Sequence, residues 1–225
     1  MKKTLLLMAV ALATAAVTQA GVISLVTTRT GSDTLNWTQL GPDNTTIPDP
    51  FTATSAGGIG ITGSFSGGGT GFTAVESTSW NGNFTIGDEL VWTNSPGQGP
   101  LTIVLGTGVS QVGAQIMADF YGAFTAQIDA YNGGTLLGSF TEGGFGTSLE
   151  DGTAVYVGVM DSTTADITKV VFSLTSAVGD PADFAINELS ITPLPVTGTP
   201  EPGTLMLLGG GLALVGLARR RLGAR

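Results

Sequence analysis

The chain has 225 residues, a formal net charge of −9, 35 Gly, no Cys and no His. The missing cysteine excludes disulfides and thiolate chemistry, and the missing histidine excludes the imidazole base of the common hydrolase sites. Arg29 and Lys169 are the only cations between the two terminal segments, so the part between them is acidic and nucleic acid is excluded as a partner. An apolar fraction of 42% with 11% charged residues predicts a turn-rich all-β fold.

Residues 1–20 have the order of a secretory signal peptide. Lys2 and Lys3 form a basic start, an apolar run follows, and small residues end the segment at Ala20. We expect export by Sec-type machinery and cleavage between Ala20 and Gly21. An uncleaved membrane anchor is the alternative, although the apolar run is short for a membrane span.

Residues 56–71 are dense in glycine and include the run Gly67-Gly68-Gly69. Glycine clusters of this kind mark turns and flexible segments. The segment therefore predicts a long flexible loop or a loosely paired hairpin rather than a second core.

The clearest strand signals lie in the second half of the chain. Residues 125–130 alternate polar and apolar, and Asn132-Gly133-Gly134 supplies a turn before residues 136–140, which predicts a β-hairpin. Two further strands each place three apolar residues on one face: Val155, Val157, Val159 and Val170, Phe172, Leu174. Two antiparallel sheets that pack such faces together form a β-sandwich with Gly-rich loops.

The last predicted strand changes phase at Asn187-Glu188. The apolar residues of 184–186 follow one alternation, and those of 189–191 follow the other. One extra residue at this point, a β-bulge, keeps all of them on the core and turns Asn187 or Glu188 outward. The alternative is that one apolar pair faces solvent or a second apolar surface.

Residues 192–225 follow the predicted strands and differ from them in composition. Residues 192–199 are Pro-rich and uncharged and predict an extended linker, which leaves residues 21–191 as the ectodomain. Residues 200–225 contain Pro200-Glu201-Pro202, an apolar run, and the cluster Arg219, Arg220 and Arg221. A helix over the run is a marginal membrane span, and the arginines keep its end on the cytoplasmic side as a membrane stop.

This order of residues resembles the PEP-CTERM sorting signal of exopolysaccharide-producing Gram-negative bacteria. The resemblance implies that an exosortase, a membrane-embedded transpeptidase, cleaves near Pro200 to Pro202 while the protein is held in the inner membrane. The product would then reach the cell surface or the extracellular matrix. A plain membrane anchor and an apolar core element are the alternatives for this segment.

The ectodomain carries a second, shorter resemblance. Residues 112–191 resemble the jelly-roll ectodomains common among PEP-CTERM proteins, with the closing motif Phe184-Ala185-Ile186-Asn187-Glu188-Leu189-Ser190. The expected fold is an all-β, antiparallel jelly-roll-like β-sandwich, flanked by an N-terminal signal helix and a C-terminal transmembrane helix.

Acidic residues are the candidates for chemistry in the ectodomain. Glu188 together with loop acids is a candidate ligand set for a structural calcium ion, because Ca²⁺ takes six to eight oxygen ligands; solvated surface acids are the alternative. The loop acids considered are Asp88, Glu89, Glu150, Asp151, Asp161, Asp166, Asp180 and Asp183. A pair of carboxylates is also the machinery of glycoside hydrolysis.

The three tryptophans allow two interpretations. Trp37, Trp80 and Trp92 would stack on sugar rings if exposed, and buried packing is the alternative. No catalytic residue is assigned. We therefore expect a non-enzymatic cell-surface or matrix protein associated with exopolysaccharide, and the alternative is a secreted carbohydrate-active enzyme that uses a carboxylate pair.

Overall fold

The structure is a computed structural model that describes residues 22–94 and 96–193. These residues form fourteen strands in one antiparallel network and a short 3₁₀ helix, Thr38–Leu40. The strands are β1 (Ile23–Val26), β2 (Asp33–Leu35), β3 (Thr46–Ile47), β4 (Phe51–Thr54), β5 (Gly60–Phe65), β6 (Gly71–Val75), β7 (Glu89–Trp92), β8 (Leu101–Ala118), β9 (Gly122–Asn132), β10 (Thr135–Gly146), β11 (Val155–Asp161), β12 (Ile167–Ser176), β13 (Phe184–Ile186) and β14 (Leu189–Pro193). The predicted all-β antiparallel class is confirmed.

The two predicted terminal helices, the signal helix and the transmembrane helix, lie outside the described residues. Among residues 22–94 and 96–193, no helix has the length and apolar character that crossing a membrane requires.

Strand β8 organises the sheets because it is 18 residues long and changes partners along its length. Its first part pairs with β5 and β12, and its last part pairs with β11, β13 and β14. We call the order β4–β5–β8–β12–β9–β10 the front sheet, and β1–β11–β8–β14–β2 the back sheet. Strand β13 leads from β8 through β7 and β6 to β3.

The front and back sheets pack face to face. Strand β10 contacts β1 and β11 without pairing with them, and a Cβ placed on Gly138 of β10 would lie 3.2 Å from Ile23 Cγ2. Ile128 and Phe172 of the front sheet and Val157 of the back sheet are all fully buried in one apolar cluster. The predicted β-sandwich is thereby confirmed, with the core between the sheets.

The predicted hairpin is β9 and β10. Gly133 and Gly134 form its two-residue turn, and Gly133 has a φ of 56°, the left-handed conformation that tight hairpin turns favour. The apolar side of β9, with Ala126, Ile128 and Ala130, is buried. Alternation along the sequence therefore located this strand and its buried face correctly.

Of the two alternatives predicted for residues 56–71, the long loop is wrong at its centre, and strand pairing as in a hairpin is what the structure contains. Gly60–Phe65 is strand β5, which pairs with β4 on one side and β8 on the other. Gly63 is a packing residue, since a Cβ at this position would lie 2.0 Å from Phe51 Cζ. Glycine here makes room for a buried ring, and the same residue type in a sequence also signals a turn.

Candidate functional site

The closing segment contains the predicted β-bulge. Ile186 pairs with Ile116 and Ser190 pairs with Gly113, so this segment advances four residues while β8 advances three. The extra residue restores the phase, and the apolar residues on both sides of it are fully buried: Phe184, Ile186, Leu189 and Ile191. Strand β14 then continues to Pro193 and so includes the first two residues of the predicted linker.

Asn187 lies on the inner side of the bulge and is 1% exposed. Its side chain makes a hydrogen bond to the β8 backbone where the bulge interrupts the regular backbone pairing. Its Oδ1 accepts a hydrogen bond from the Gln115 N–H (3.0 Å), and its Nδ2 donates to Gln115 Oε1 (2.7 Å) and Asp88 Oδ2 (3.0 Å). Its carbonyl oxygen accepts from Trp37 Nε1 at 2.9 Å. The side-chain amide of Asn187 thus ties β8 and the β6–β7 loop to the segment 184–190, and its backbone carbonyl ties the first part of the chain to the same segment.

Glu188 is turned outward at the same bulge and forms an ion pair with Arg29. The two side chains are 31% and 38% exposed, respectively, so solvent screens their attraction. Glu188 also borders a shallow cleft of about 260 Å³ with Asn36, Asp88 and Glu89. Burial raises the pKa of the Glu89 carboxyl above its usual value.

The calcium hypothesis concerns this same residue. Across the described ranges, no group of three Asp, Glu, His or Cys side chains is arranged to hold a metal ion. The cation next to Glu188 is the Arg29 guanidinium. Calcium binding by Glu188 stays a hypothesis.

The other candidate acids lie in loops or at strand ends, and several of them cap turns. Asp161 Oδ1 accepts from the N–H groups of Thr163 and Thr164, and Asp151 Oδ1 accepts from Thr153 Oγ1 at 2.5 Å and Asn83 Nδ2 at 3.3 Å. The Thr153 hydroxyl is the main cause of a lowered pKa at Asp151. For Asp161, burial acts to raise the pKa, but the hydrogen bonds from Thr164 and Thr163 outweigh it and lower the pKa.

Asp183 is the candidate acid with the most unusual surroundings. It is fully buried, and its Oδ1 accepts a hydrogen bond from Trp92 Nε1 at 2.7 Å. Its Oδ2 has no hydrogen-bond partner among the described residues. Burial raises its pKa to about 6, with smaller upward contributions from Asp119 and Asp180 and a downward one from Trp92. A fully buried carboxyl does not reach a substrate, so its raised pKa bears on stability rather than on catalysis.

The tryptophans are packing residues. Trp37 is fully buried and Trp80 is 5% exposed. Trp92 is partly buried and packs edge-on against Trp80, with ring centroids 5.7 Å apart. Aromatic rings that do face solvent include Phe120 (46%), Tyr121 (48%) and Phe145 (68%). The sequence did not single them out, because exposure of a ring near a turn leaves no local signal.

The comparison with protein families identifies the type of signal in the C-terminal segment. Residues 199–221 match the model of the PEP-CTERM protein-sorting motif. The chain carries a PEP-CTERM sorting signal. The matched range contains Pro200, Glu201 and Pro202 as well as Arg219, Arg220 and Arg221, all of which lie outside the described residues.

The PEP-CTERM signal implies export, exosortase processing and transient residence in the membrane on the way to the cell surface. Neither the comparison with curated proteins nor that with solved structures finds a match. The predicted cleavage site at Ala20 and Gly21 also lies outside the described residues. The division into signal peptide, ectodomain, linker and sorting segment stays a prediction.

Proposed function

We propose that this PEP-CTERM protein is a non-enzymatic component of the cell surface or extracellular matrix. Sec-type machinery exports it, an exosortase processes it at the inner membrane, and its β-sandwich associates with exopolysaccharide. The observation that carries the proposal is the sorting motif at residues 199–221, because that signal delivers proteins to the surface of exopolysaccharide-producing bacteria.

The placement of the acids supports a non-enzymatic role. Asp151, Asp161 and Asp180 hold turns by accepting N–H groups of the loops they belong to or adjoin, and Asp183 is buried. Such carboxylates already have structural tasks. The chain also contains neither Cys nor His, so a nucleophile activated by imidazole is excluded.

The alternative, a carbohydrate-active enzyme, is favoured by one observation. Asp88, Glu89 and Glu188 border the same cleft, and the raised pKa of Glu89 is the property of a general acid. In such an enzyme Glu89 would protonate the leaving oxygen, and Glu188 or Asp88 would act as base or nucleophile. Glu188 would first have to leave Arg29, and Asp88 is held by Asn187.

A reducing-sugar assay separates the two functions. Mature protein from the culture medium is incubated with the exopolysaccharide of the producing organism, alongside the variants Glu89→Gln and Glu188→Gln. We expect binding of the polymer without release of reducing ends. Release by the natural protein that disappears in Glu89→Gln would establish the enzyme instead.

Intact-mass measurement of the protein from membrane and medium fractions tests the sorting part. We expect the mature chain to start at Gly21 and to lack the segment after the Pro-Glu-Pro box. Replacing Pro200-Glu201-Pro202 by alanines should leave full-length protein in the inner membrane, whereas replacing Arg219, Arg220 and Arg221 by Gln should disturb insertion itself. A surface form that retains Arg225 would show that the segment is a plain anchor.

A further inference from the structure

The outer side of the front sheet is a surface whose residues can be read from the strand register. Residues paired directly across an antiparallel sheet point to the same side, and the inward set on these strands is the buried core. Two rows of outward side chains cross the sheet: Tyr131, Lys169, Val104, Thr62, Thr52 and Ser139, Asp129, Val171, Thr102, Ser64. We call this surface the front face.

The front face differs from the rest of the protein in charge. Its two rows contain one cation, Lys169, and one anion, Asp129, in a chain whose net charge is −9. Lys169 Nζ lies 3.9 Å from the centroid of the Tyr131 ring, and Asp129 Oδ1 accepts a hydrogen bond from Gln127 Nε2 at 2.9 Å. Both charges are therefore engaged within the face, and the face as a whole is neutral.

The remaining front-face side chains are mostly short hydroxyls with a few apolar groups. At one end, Thr52, Thr54, Thr62 and Val104 surround a shallow groove of about 320 Å³ whose floor includes Gly60 and Gly106. The three threonines are exposed, and Val104 is 43% exposed. Threonine offers a donor and an acceptor beside a methyl group, so the groove alternates hydrogen-bonding and apolar contacts.

The opposite end of the front sheet presents an aromatic ring. Phe145 pairs with Ala123 on β9, and both residues point outward. At 68% exposure the ring is among the most accessible large apolar side chains of the described residues. An exposed ring at the end of a polar sheet supplies a stacking surface for a ring-shaped, partly apolar ligand.

We propose that the front face binds a neutral polysaccharide chain, an inference that rests on the surface role proposed above and names the ligand class and the site. Sugar rings carry hydroxyls on their rim and C–H groups on their faces, which match the threonine hydroxyls and the Val104 and Phe145 surfaces. An anionic polymer is disfavoured, because the rest of the domain is acidic and the two rows of the front face offer one cation, Lys169, whose charge is offset by Asp129.

Affinity electrophoresis of the mature protein tests this site. The gels contain dextran, hydroxyethylcellulose, alginate or the exopolysaccharide of the producing organism. Thr62→Glu introduces a charge into the groove, and Thr46→Glu makes the same exchange on an exposed strand residue of β3, outside the front face. We expect retardation by at least one neutral polymer, a loss of affinity of about tenfold or more in Thr62→Glu, and no loss in Thr46→Glu. Thr62→Val, which replaces the hydroxyl by a methyl group of similar size, should weaken binding several-fold.

The outcomes separate the two proposals. If the natural protein is retarded by no polysaccharide, the proposed association with exopolysaccharide fails and the front-face site fails with it. If it binds but Thr62→Glu and Thr46→Glu behave alike at unchanged melting temperature, the function stands and the front-face site is refuted. Binding to alginate alone would overturn the neutral ligand. A sedimentation shift from dimer to monomer in Thr62→Glu would show that a second copy of the chain covers this face.

Discussion

The two ends of strand β13 bury polar side chains in contrasting ways. Asn187, after the strand, is 1% exposed, and its side chain bonds to Gln115 and Asp88. Asp183, before the strand, is fully buried, yet in the described structure one of its oxygens has no partner. A neutral amide with its groups satisfied adds rigidity at any pH, whereas a buried acid with an unpaired oxygen makes stability depend on pH.

Replacing Asn187 by Leu should produce the largest effect. The variant keeps the number and branching of the side-chain heavy atoms but is bulkier, and it leaves the Gln115 N–H and side chain without their partners in the sheet, so we expect a loss of about 3 kcal/mol in the free energy of unfolding. Urea denaturation measures it. Asn36→Ala, at an exposed position, is the control and should cost less than about 1 kcal/mol. An equally small loss for Asn187→Leu would show that the bulge does not need its amide.

Asp183→Asn tests the other end of β13. Because the folded-state pKa is raised to about 6 from 3.8, the stabilising effect of the protonated acid is present at low pH and is lost as the pH rises through about 6. The asparagine does not ionise and keeps the acceptor for Trp92, so the variant should be more stable than the natural protein by about 2 kcal/mol at about pH 8 and about equally stable at about pH 3.5.

Thermal melts across this pH range measure that difference. Asp166→Asn, at an exposed loop position, is the matched control and should leave the pH profile unchanged. If Asp183→Asn changes stability by the same amount at both pH values, ionisation of Asp183 is not coupled to folding and its pKa is not raised in the folded protein.

The contrast at β13 also shows where sequence reasoning reaches its limit. The phase change at Asn187-Glu188 predicted the bulge. Side chains of a strand alternate with a period of two, so four apolar side chains in two phases can all face one core only if the strand contains an extra residue. Nothing local marked Asp183 as buried, since its chain neighbours are like those of the other loop acids. Its burial arises from Trp92 and Gly97, which are distant in sequence.

Glycine caused the main error in the fold prediction. Gly133 serves a turn and Gly63 serves a close contact with Phe51, and the two roles look alike in the sequence. The front face was equally invisible in the sequence, because it depends on which strands become neighbours. Local alternation revealed single strands and their buried sides, while strand order and register decided which outward residues share a surface.

Glu76 offers a weaker version of the Asp183 effect. It is 1% exposed, its Oε1 accepts the Gly82 N–H at 2.6 Å, and no described residue bonds to its Oε2. Burial raises its pKa, the nearby backbone N–H groups of Gly82 and Phe84 lower it, and the Glu150 charge raises it further. Glu76→Gln should therefore stabilise the protein at neutral pH by less than Asp183→Asn does, in the same melts. Gains that do not add in the double variant would reveal coupling between the two acids.

The smallest effect is expected at the outward side of the bulge. Arg29 and Glu188 are both partly exposed, so Arg29→Gln should cost less than about 1 kcal/mol, and the loss should shrink further in high salt.

The ion pair between Arg29 and Glu188 also bears on the calcium hypothesis. A ligand that binds only the folded state raises its melting temperature by mass action. Since Arg29 supplies the positive charge at Glu188, we expect neither EDTA nor added calcium to shift the melting temperature. A calcium-dependent rise that disappears in Glu188→Gln but persists in Asp166→Asn would instead establish Glu188 as a metal ligand, and would require Arg29 to move aside.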